Sequence, residues 1–189
     1  MEYNNAIELF EKLCRTHQQT EASHQRLWKL FKQYSFVGGM PRVVNTYLAT
    51  RNLDSFEATT EVRKIQKDLV DSYHKDFAKH AGKINSMHIV SVFENVSMQL
   101  AKNLDGSVQR YRFRDVIPNK KSFADLQGPI DWLEKAGLVI KVKICNLPEI
   151  PFESFCKQNF FKLYVLDVGL LGSMLNLPPE SILTDDFGM

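Results

Sequence analysis

Apolar residues recur at intervals of three and four along most of the first hundred residues of the chain. Ile7, Phe10 and Leu13 begin this pattern. It continues between residues 54 and 77 with Phe56, Val62, Ile65, Leu69, Tyr73 and Phe77. Such spacing places the apolar side chains on one face of an α-helix. The first half of the chain is therefore predicted to be a set of packed amphipathic helices.

Glycine and proline residues divide this helical region. Two helices are predicted before residue 36, separated near residues 18 to 23. Gly38 and Gly39 end the second helix, and Pro41 fits the first turn of a third because its φ is fixed at a helical value. The third helix is predicted to bury Val43, Val44, Tyr47 and Leu48. Gly82 ends the helical region that begins near residue 54, which is one long helix or two shorter ones, and a further helix is expected from residue 85 to 102.

The second half of the chain changes character near residue 82. Ser122 is a candidate helix cap, and Gly137 is a candidate helix-ending glycine. Pro129 lies between them, and an interior proline removes a hydrogen bond and clashes with the preceding turn. We therefore expect the regular helix to run mainly from Pro129 to Ala136.

Residues 138–145 alternate between apolar and polar positions, as a half-buried strand does. The face predicted to be buried comprises Leu138, Ile140, Val142 and Ile144. Residues 160–167 are predicted to form a second strand that pairs with the first. Helices followed by a β-hairpin are the order of a winged helix-turn-helix unit.

These patterns predict a mainly α protein with two parts. Residues 1–81 would form a helical subdomain, and residues 82–175 would form a winged helix-turn-helix-like domain with a small β-hairpin. Residues 176–189 are expected to be a poorly ordered tail.

Composition argues against several classes of protein. A net charge of +2 gives only a weak long-range attraction to nucleic acid or an anionic membrane. Cys14, Cys145 and Cys156 lack metal-binding spacing, and their number fits reduced thiols better than a disulfide framework. No signal peptide is recognised, and no apolar run reaches the roughly 20 residues of a membrane helix. We expect a cytoplasmic protein with no metal, no cofactor and no membrane contact.

No catalytic motif stands out. A P-loop needs two glycines followed by Lys and Ser or Thr, and Gly82-Lys83 lacks the rest of that pattern. Asp167 follows an apolar stretch, as a magnesium-binding Asp does in nucleotide hydrolases, but no P-loop precedes it. Asp167 is instead predicted to cap the next helix. The chain is therefore not expected to be an enzyme.

A basic cluster is the best local candidate for binding. It comprises Arg110, Arg112, Arg114, Lys120, Lys121, Lys141 and Lys143. Tyr111 and Phe113 alternate with the arginines, and cations of this kind can neutralise DNA phosphates while a helix presents Gln127 or Lys135 to a groove. The alternation also fits an exposed strand, and Asp125, Asp131 and Glu134 would repel DNA from the helix. We favour a structural or protein-contact surface over DNA binding.

Several motifs together resemble a large prokaryotic family of AAA-type ATPases. They lie at residues 34–44, with the sequence Val-Gly-Gly-Met-Pro, and at residues 73–80, 92–102, 132–138 and 161–171. The stretches are similar to the domain of unknown function that follows the ATPase module in that family. The resemblance implies a middle segment that begins after the P-loop core and stops before a C-terminal nuclease-like region.

Two functions follow as expectations. The first is a non-catalytic interaction or coupling module that binds protein, either the ATPase core or another partner, or a second copy of the chain, through exposed apolar surface. The alternative is a winged-helix module that binds double-stranded DNA through the basic cluster.

Overall fold

The computed structural model describes residues 2–16, 20–50, 55–102 and 110–184, in which six α-helices are followed by a β-hairpin and two more α-helices. The helices are α1 (Glu2–Thr16), α2 (Glu21–Val37), α3 (Pro41–Ala49), α4 (Ser55–Ala81), α5 (Lys83–Ala101), α6 (Phe123–Lys135), α7 (Val168–Met174) and α8 (Pro179–Leu183). The strands are β1 (Val139–Cys145) and β2 (Cys156–Val165), which pair antiparallel. The prediction of a mainly α protein with a small β-hairpin is confirmed.

Most predicted helix boundaries are confirmed. Pro41 lies in the first turn of α3, and Gly38 and Gly82 both have positive φ, at 75° and 74°. The predicted break near residues 18 to 23 falls partly outside the described residues, and α2 begins at Glu21 with a capping box between Thr20 and Ser23.

Two apolar clusters form the core, and α4 contributes to both. The smaller cluster holds Phe36, Val37, Val43 and Val62. The larger one is built from α4, α5, α6 and the hairpin, and its fully buried members include Phe77, Phe93, Leu126, Ile130 and Phe161. Because α4 has 27 residues, it is about 40 Å long and reaches from one cluster to the other. Leu48 and Phe56, which were predicted to be buried, are 40% and 73% exposed because they lie at helix ends beyond the core.

The last two helices return to the first part of the chain. α7 packs against α2 and α4, and α8 packs against α2. The segment that we expected to be a tail therefore contains α8, and residues 185–189 lie outside the described part. The division at residue 82 stays a prediction.

The helix at Ser122 begins earlier than expected. α6 starts at Phe123 and contains Pro129, whereas we expected a regular helix only from Pro129. The Ser122 hydroxyl accepts a hydrogen bond from the Asp125 N–H, and Asp125 Oδ2 accepts one from the Ser122 N–H at 3.0 Å. This reciprocal cap fixes the first turn, so the hydrogen bond that Pro129 cannot donate does not end the helix. Gly137 has φ 72° after α6, as predicted.

The predicted buried face of β1 is wrong. Ile140 and Val142 are 53% and 45% exposed, whereas Val139 is buried and the Lys141 side chain is only 14% exposed. The Lys141 ammonium lies 4.8 Å from the centre of the Phe161 ring, so its aliphatic stem runs across the core edge. Alternation of apolar and polar residues shows that a strand has two different faces. It does not show which face is buried, because a lysine with a partner can lie on the inner face.

Candidate functional site

Residues 110–113 run beside β2 and the beginning of α6, and Arg114 begins a turn. The Tyr111 N–H donates to the Phe161 carbonyl at 2.8 Å, which aligns this segment with β2. The Arg112 N–H donates to Gln99 Oε1 and the Arg112 carbonyl accepts from Gln99 Nε2, both at 2.8 Å. Since successive side chains of an extended segment point to opposite sides, Tyr111 packs inward while Arg110, Arg112 and Arg114 are exposed.

A groove of about 690 Å³ separates this segment from the start of α6. It is lined by Arg110, Tyr111, Arg112, Phe113, Arg114, Lys121, Ser122, Phe123 and Asn159. The rings of Phe113 and Phe123 lie 5.7 Å apart in it. The fold thus brings together four of the seven residues of the predicted basic cluster, with aromatic rings between them. We call this feature the basic groove.

One carboxylate lies close to the basic groove. Asp125 Oδ2 accepts hydrogen bonds from the Ser122 hydroxyl at 2.7 Å and from the Lys121 N–H at 3.1 Å. Hydrogen bonds from the Ser122 side chain and backbone, followed by that from Lys121, lower the pKa of Asp125. Asp125 is therefore ionised at neutral pH, and its carboxylate is the partner of the Lys121 and Ser122 N–H groups just before α6.

The other three residues of the predicted cluster do not line the basic groove. The Lys141 ammonium lies 3.6 Å from Glu134 and 3.8 Å from Asp131, both on α6. The Lys143 ammonium contacts Glu153 Oε2 at 2.6 Å, and this contact raises the pKa of Lys143. Lys120 is half-buried in a turn in which its N–H donates to the Ile117 carbonyl. Asp131 and Glu134, two of the three acidic residues of α6 that were expected to repel DNA, neutralise Lys141 instead.

Asp167 contacts residues that lie far apart in the sequence. Its Oδ1 accepts a hydrogen bond from the Leu170 N–H at 2.9 Å, which confirms the predicted cap of α7. Its Oδ2 accepts a second one from the Gly39 N–H at 2.6 Å, a contact that the sequence did not reveal. Burial, followed by the charge of Asp167, raises the pKa of Tyr73 on α4. One carboxylate thus ties α7 to the turn between α2 and α3.

A buried amide completes this junction. Gln66 is fully buried on α4, and its Nε2 donates to the carbonyls of Phe36 at 2.8 Å and Val37 at 3.2 Å. Its Oε1 accepts from the Arg63 guanidinium at 2.8 Å, which also donates to the Leu177 carbonyl at 2.9 Å. Partial burial lowers the pKa of Arg63. The sequence held one signal for this: Gln66 lies four residues after Val62, on the apolar face of the helix.

Aromatic side chains form an exposed row on α2. Trp28, Phe31 and Tyr34 follow one another at three-residue spacing and are 40%, 54% and 55% exposed. The Trp28 and Phe31 rings stack with centroids 5.5 Å apart. On α1, Ile7 and Phe10 are each 59% exposed at the same spacing. We call Trp28, Phe31 and Tyr34 the aromatic row.

A sequence model described as a domain of unknown function, DUF8612, matches residues 28–181. The chain belongs to this family. The matched range includes the aromatic row, the basic groove and the junction around Asp167. The DUF8612 description names no activity and draws no link to AAA-type ATPases, so that resemblance stays a prediction. No significant match was found among curated proteins or among solved structures.

Neither a metal-binding cluster nor a membrane-spanning helix is found among the described residues of this DUF8612 chain. Within residues 2–16, 20–50, 55–102 and 110–184, no group of three or more His, Cys, Asp and Glu side chains could hold a metal ion. In the same ranges no helix is both long and apolar enough to cross a membrane.

Proposed function

We propose that the chain is a non-catalytic interaction module that couples an AAA-type ATPase to its partner proteins, with the aromatic row as the docking surface for the ATPase module. The observation that carries the proposal is the exposure of Trp28, Phe31 and Tyr34 on one helix face. Exposed aromatic rings in contiguous patches mark protein-binding surfaces, and Trp and Tyr dominate the energetics of such interfaces.

The geometry of the row suits binding. Trp28 and Phe31 stack on each other, so part of the side-chain entropy that binding would remove is already lost in the free chain. α2 itself is anchored, because Phe36 and Val37 at its end are buried and their carbonyls accept from Gln66. A row of rings on a helix fixed in this way forms a rigid surface.

The motifs that resemble the AAA-type family support a coupling role over a catalytic one. Gly38, Gly39, Asp167 and Gly169 all belong to those motifs, and they meet at the junction of α2, α4 and α7. A Cβ on Gly169 would lie 2.5 Å from the Val37 carbonyl oxygen. These residues therefore serve close packing, which accounts for their presence without any reaction.

Affinity capture followed by titration tests this proposal. The wild-type chain and the variants Phe31→Ala and Phe152→Ala would be used to capture proteins from lysate of the source cells, and each captured protein would be purified and titrated. Phe152 is the matched control, because it is 55% exposed but lies beyond β1. We expect a partner with a P-loop, a Kd raised at least about tenfold by Phe31→Ala, and no change with Phe152→Ala.

Three outcomes would contradict the proposal. They are a captured partner without a P-loop, equal affinity of the wild-type chain and Phe31→Ala, and the absence of any specific partner.

A second candidate function rests on the basic groove. Under this alternative, α5, residues 110–113, α6 and the hairpin would form a winged-helix-like unit that binds double-stranded DNA. The hydrogen bond from Tyr111 to Phe161 supports it, since a third extended segment beside the hairpin is part of such units. Four cations in one groove also favour phosphate contacts.

Salt dependence separates this alternative from protein binding alone. If the groove contacts phosphates, affinity for a generic duplex falls as salt rises, and Arg110→Ala and Arg114→Ala each reduce the slope of log K against log salt by about 0.9. Lys143→Ala is the control and should leave the slope unchanged, since Lys143 is paired with Glu153. Fluorescence anisotropy at several salt concentrations measures all four proteins. Binding that is absent, or that Lys143→Ala weakens as much as Arg114→Ala does, would exclude the groove as a DNA site.

A further inference from the structure

Two of the three cysteines face each other across the hairpin. Cys145, the last residue of β1, pairs with Cys156, the first residue of β2. The pairs Lys143↔Phe161 and Cys145↔Cys156 are two positions apart in β1 but five positions apart in β2. An irregularity between them therefore shifts the register. The two cysteines are brought opposite each other by this shift, and for that reason their sequence spacing gave no sign of it.

The hydrogen bonding around the pair defines its geometry. The Asn146 N–H donates to the Phe155 carbonyl at 3.1 Å, immediately beyond the cysteines. Because hydrogen-bonded and non-hydrogen-bonded pairs alternate in an antiparallel ladder, Cys145 and Cys156 form a non-hydrogen-bonded pair with Cα atoms about 4.5 Å apart. Disulfides span Cα distances of roughly 4.4–6.8 Å, so no backbone movement is needed to join the two sulfurs.

Both thiols lie close to the same backbone carbonyl oxygen, that of Phe152. Cys145 Sγ lies 3.7 Å from the Phe152 carbonyl oxygen, and Cys156 Sγ lies 3.3 Å from the same oxygen. The contact of Lys143 with Glu153 also ties the loop between the strands to β1. Cys145 is exposed and Cys156 is half-buried, while Cys14 lies far away in the sequence on α1.

From this cross-strand geometry we propose that Cys145 and Cys156 form a reversible intramolecular disulfide that responds to the thiol redox state of the surroundings. The oxidant is a small-molecule disulfide such as oxidised glutathione. The Cys145 thiolate attacks it, forms a mixed disulfide and releases one glutathione thiolate. The Cys156 thiolate then attacks Cys145 Sγ and releases the second glutathione. Two protons and two electrons leave the protein, and one glutathione disulfide becomes two glutathione thiols.

The order of attack follows from exposure. Cys145 is the thiol that an external disulfide reaches first. Desolvation, followed by the neighbouring Cys145, raises the pKa of Cys156, so a smaller fraction of it is thiolate at neutral pH. Cys156 therefore acts as the resolving thiol. The bond closes the loop at residues 146–155, whose tip exposes Leu147, Ile150 and Phe152.

Thiol counting in glutathione buffers tests the proposal. The intact chain would be equilibrated at ratios of oxidised to reduced glutathione from strongly reducing to strongly oxidising, alkylated, and mapped by non-reducing peptide mass spectrometry. We expect the wild-type chain to lose two of its three thiols in one step, with a bond between Cys145 and Cys156 that dithiothreitol reverses. Cys14→Ser should lose both remaining thiols at the same ratio.

Single variants identify the roles of the two sulfurs. Cys156→Ser should accumulate a glutathione adduct on Cys145, because the resolving thiol is gone, and Cys145→Ser should react more slowly. Glutathione adducts on wild-type Cys145 without the intramolecular bond, or bonds only between chains, would overturn the proposal. Circular dichroism of the oxidised chain must match that of the reduced chain, and a loss of helix on oxidation would equally overturn it.

Discussion

Gly38→Ala is expected to lower the free energy of unfolding by about 3 kcal/mol or more. Two effects add. Gly38 has φ 75° and ψ −164°, a backbone region that essentially only glycine occupies and that costs a residue with a side chain about 1–3 kcal/mol. The new Cβ would also overlap Asp167 Oδ1 and lie 2.6 Å from Oδ2. The carboxylate cannot move aside without losing a hydrogen bond from Gly39 or Leu170, and a bond to a charged group contributes about 1.5–3 kcal/mol.

A matched glycine separates these two effects. Gly137 has φ 72°, and a Cβ there would meet nothing within 4 Å, so Gly137→Ala should cost only the backbone term of about 1–2 kcal/mol. In an Asp167→Ala background the overlap disappears, and the additional cost of Gly38→Ala should fall to its backbone term of about 1–3 kcal/mol. Urea unfolding of the single and double variants measures all of these values. Equal costs for Gly38→Ala and Gly137→Ala in the wild-type background would show that the close approach of Asp167 is not a constraint.

Gln66→Met is expected to lower the free energy of unfolding by about 2–4 kcal/mol, although it hardly changes the volume of the side chain. The amide of Gln66 is the partner of the Phe36 and Val37 carbonyls at the end of α2 and of the Arg63 guanidinium. Methionine offers them no equivalent, and each buried polar group left without a partner costs about 1–3 kcal/mol.

An exposed glutamine provides the control for that substitution. Gln127 lies on the exposed side of α6, and Gln127→Met should change the free energy of unfolding by less than about 0.5 kcal/mol. Urea unfolding monitored by circular dichroism compares the two variants. If Gln66→Met were as stable as Gln127→Met, the amide would contribute nothing to the junction. Loss of the hydrogen bonds to the Phe36 and Val37 carbonyls should also increase hydrogen exchange at the end of α2, which gives a second readout.

Local signals in the sequence predicted local structure well. Asp167 was identified as the cap of α7 because a cap and its target lie within three residues of each other. Its second hydrogen bond, to Gly39, connects residues 128 positions apart, and no spacing rule reports such a contact. The helices, the turn glycines and the hairpin depend on residues that are close together in the sequence, so they could be predicted. The junction depends on residues that are far apart, so it could not.

The basic cluster illustrates a related limit. Adjacent positions in the sequence placed Arg110, Arg112 and Arg114 together, and the structure keeps them on one groove. The alternating pattern predicted that Lys141 lies on the exposed face of β1. Lys141 lies on the buried face instead, where carboxylates of α6 are paired with its ammonium group. Which face of β1 is buried depends on what packs against it, and that information lies elsewhere in the chain.

The hydrogen bond between Gly39 and Asp167 has a consequence for synthesis. A ribosome adds roughly 5–20 residues per second, so Asp167 is made about 6–25 s after Gly39. During that interval α2 and α3 have left or are leaving the exit tunnel. The Gly39 N–H in the turn between them cannot yet donate to the Asp167 carboxylate. The first helices of the chain can therefore reach their final arrangement only after Asp167 has been translated.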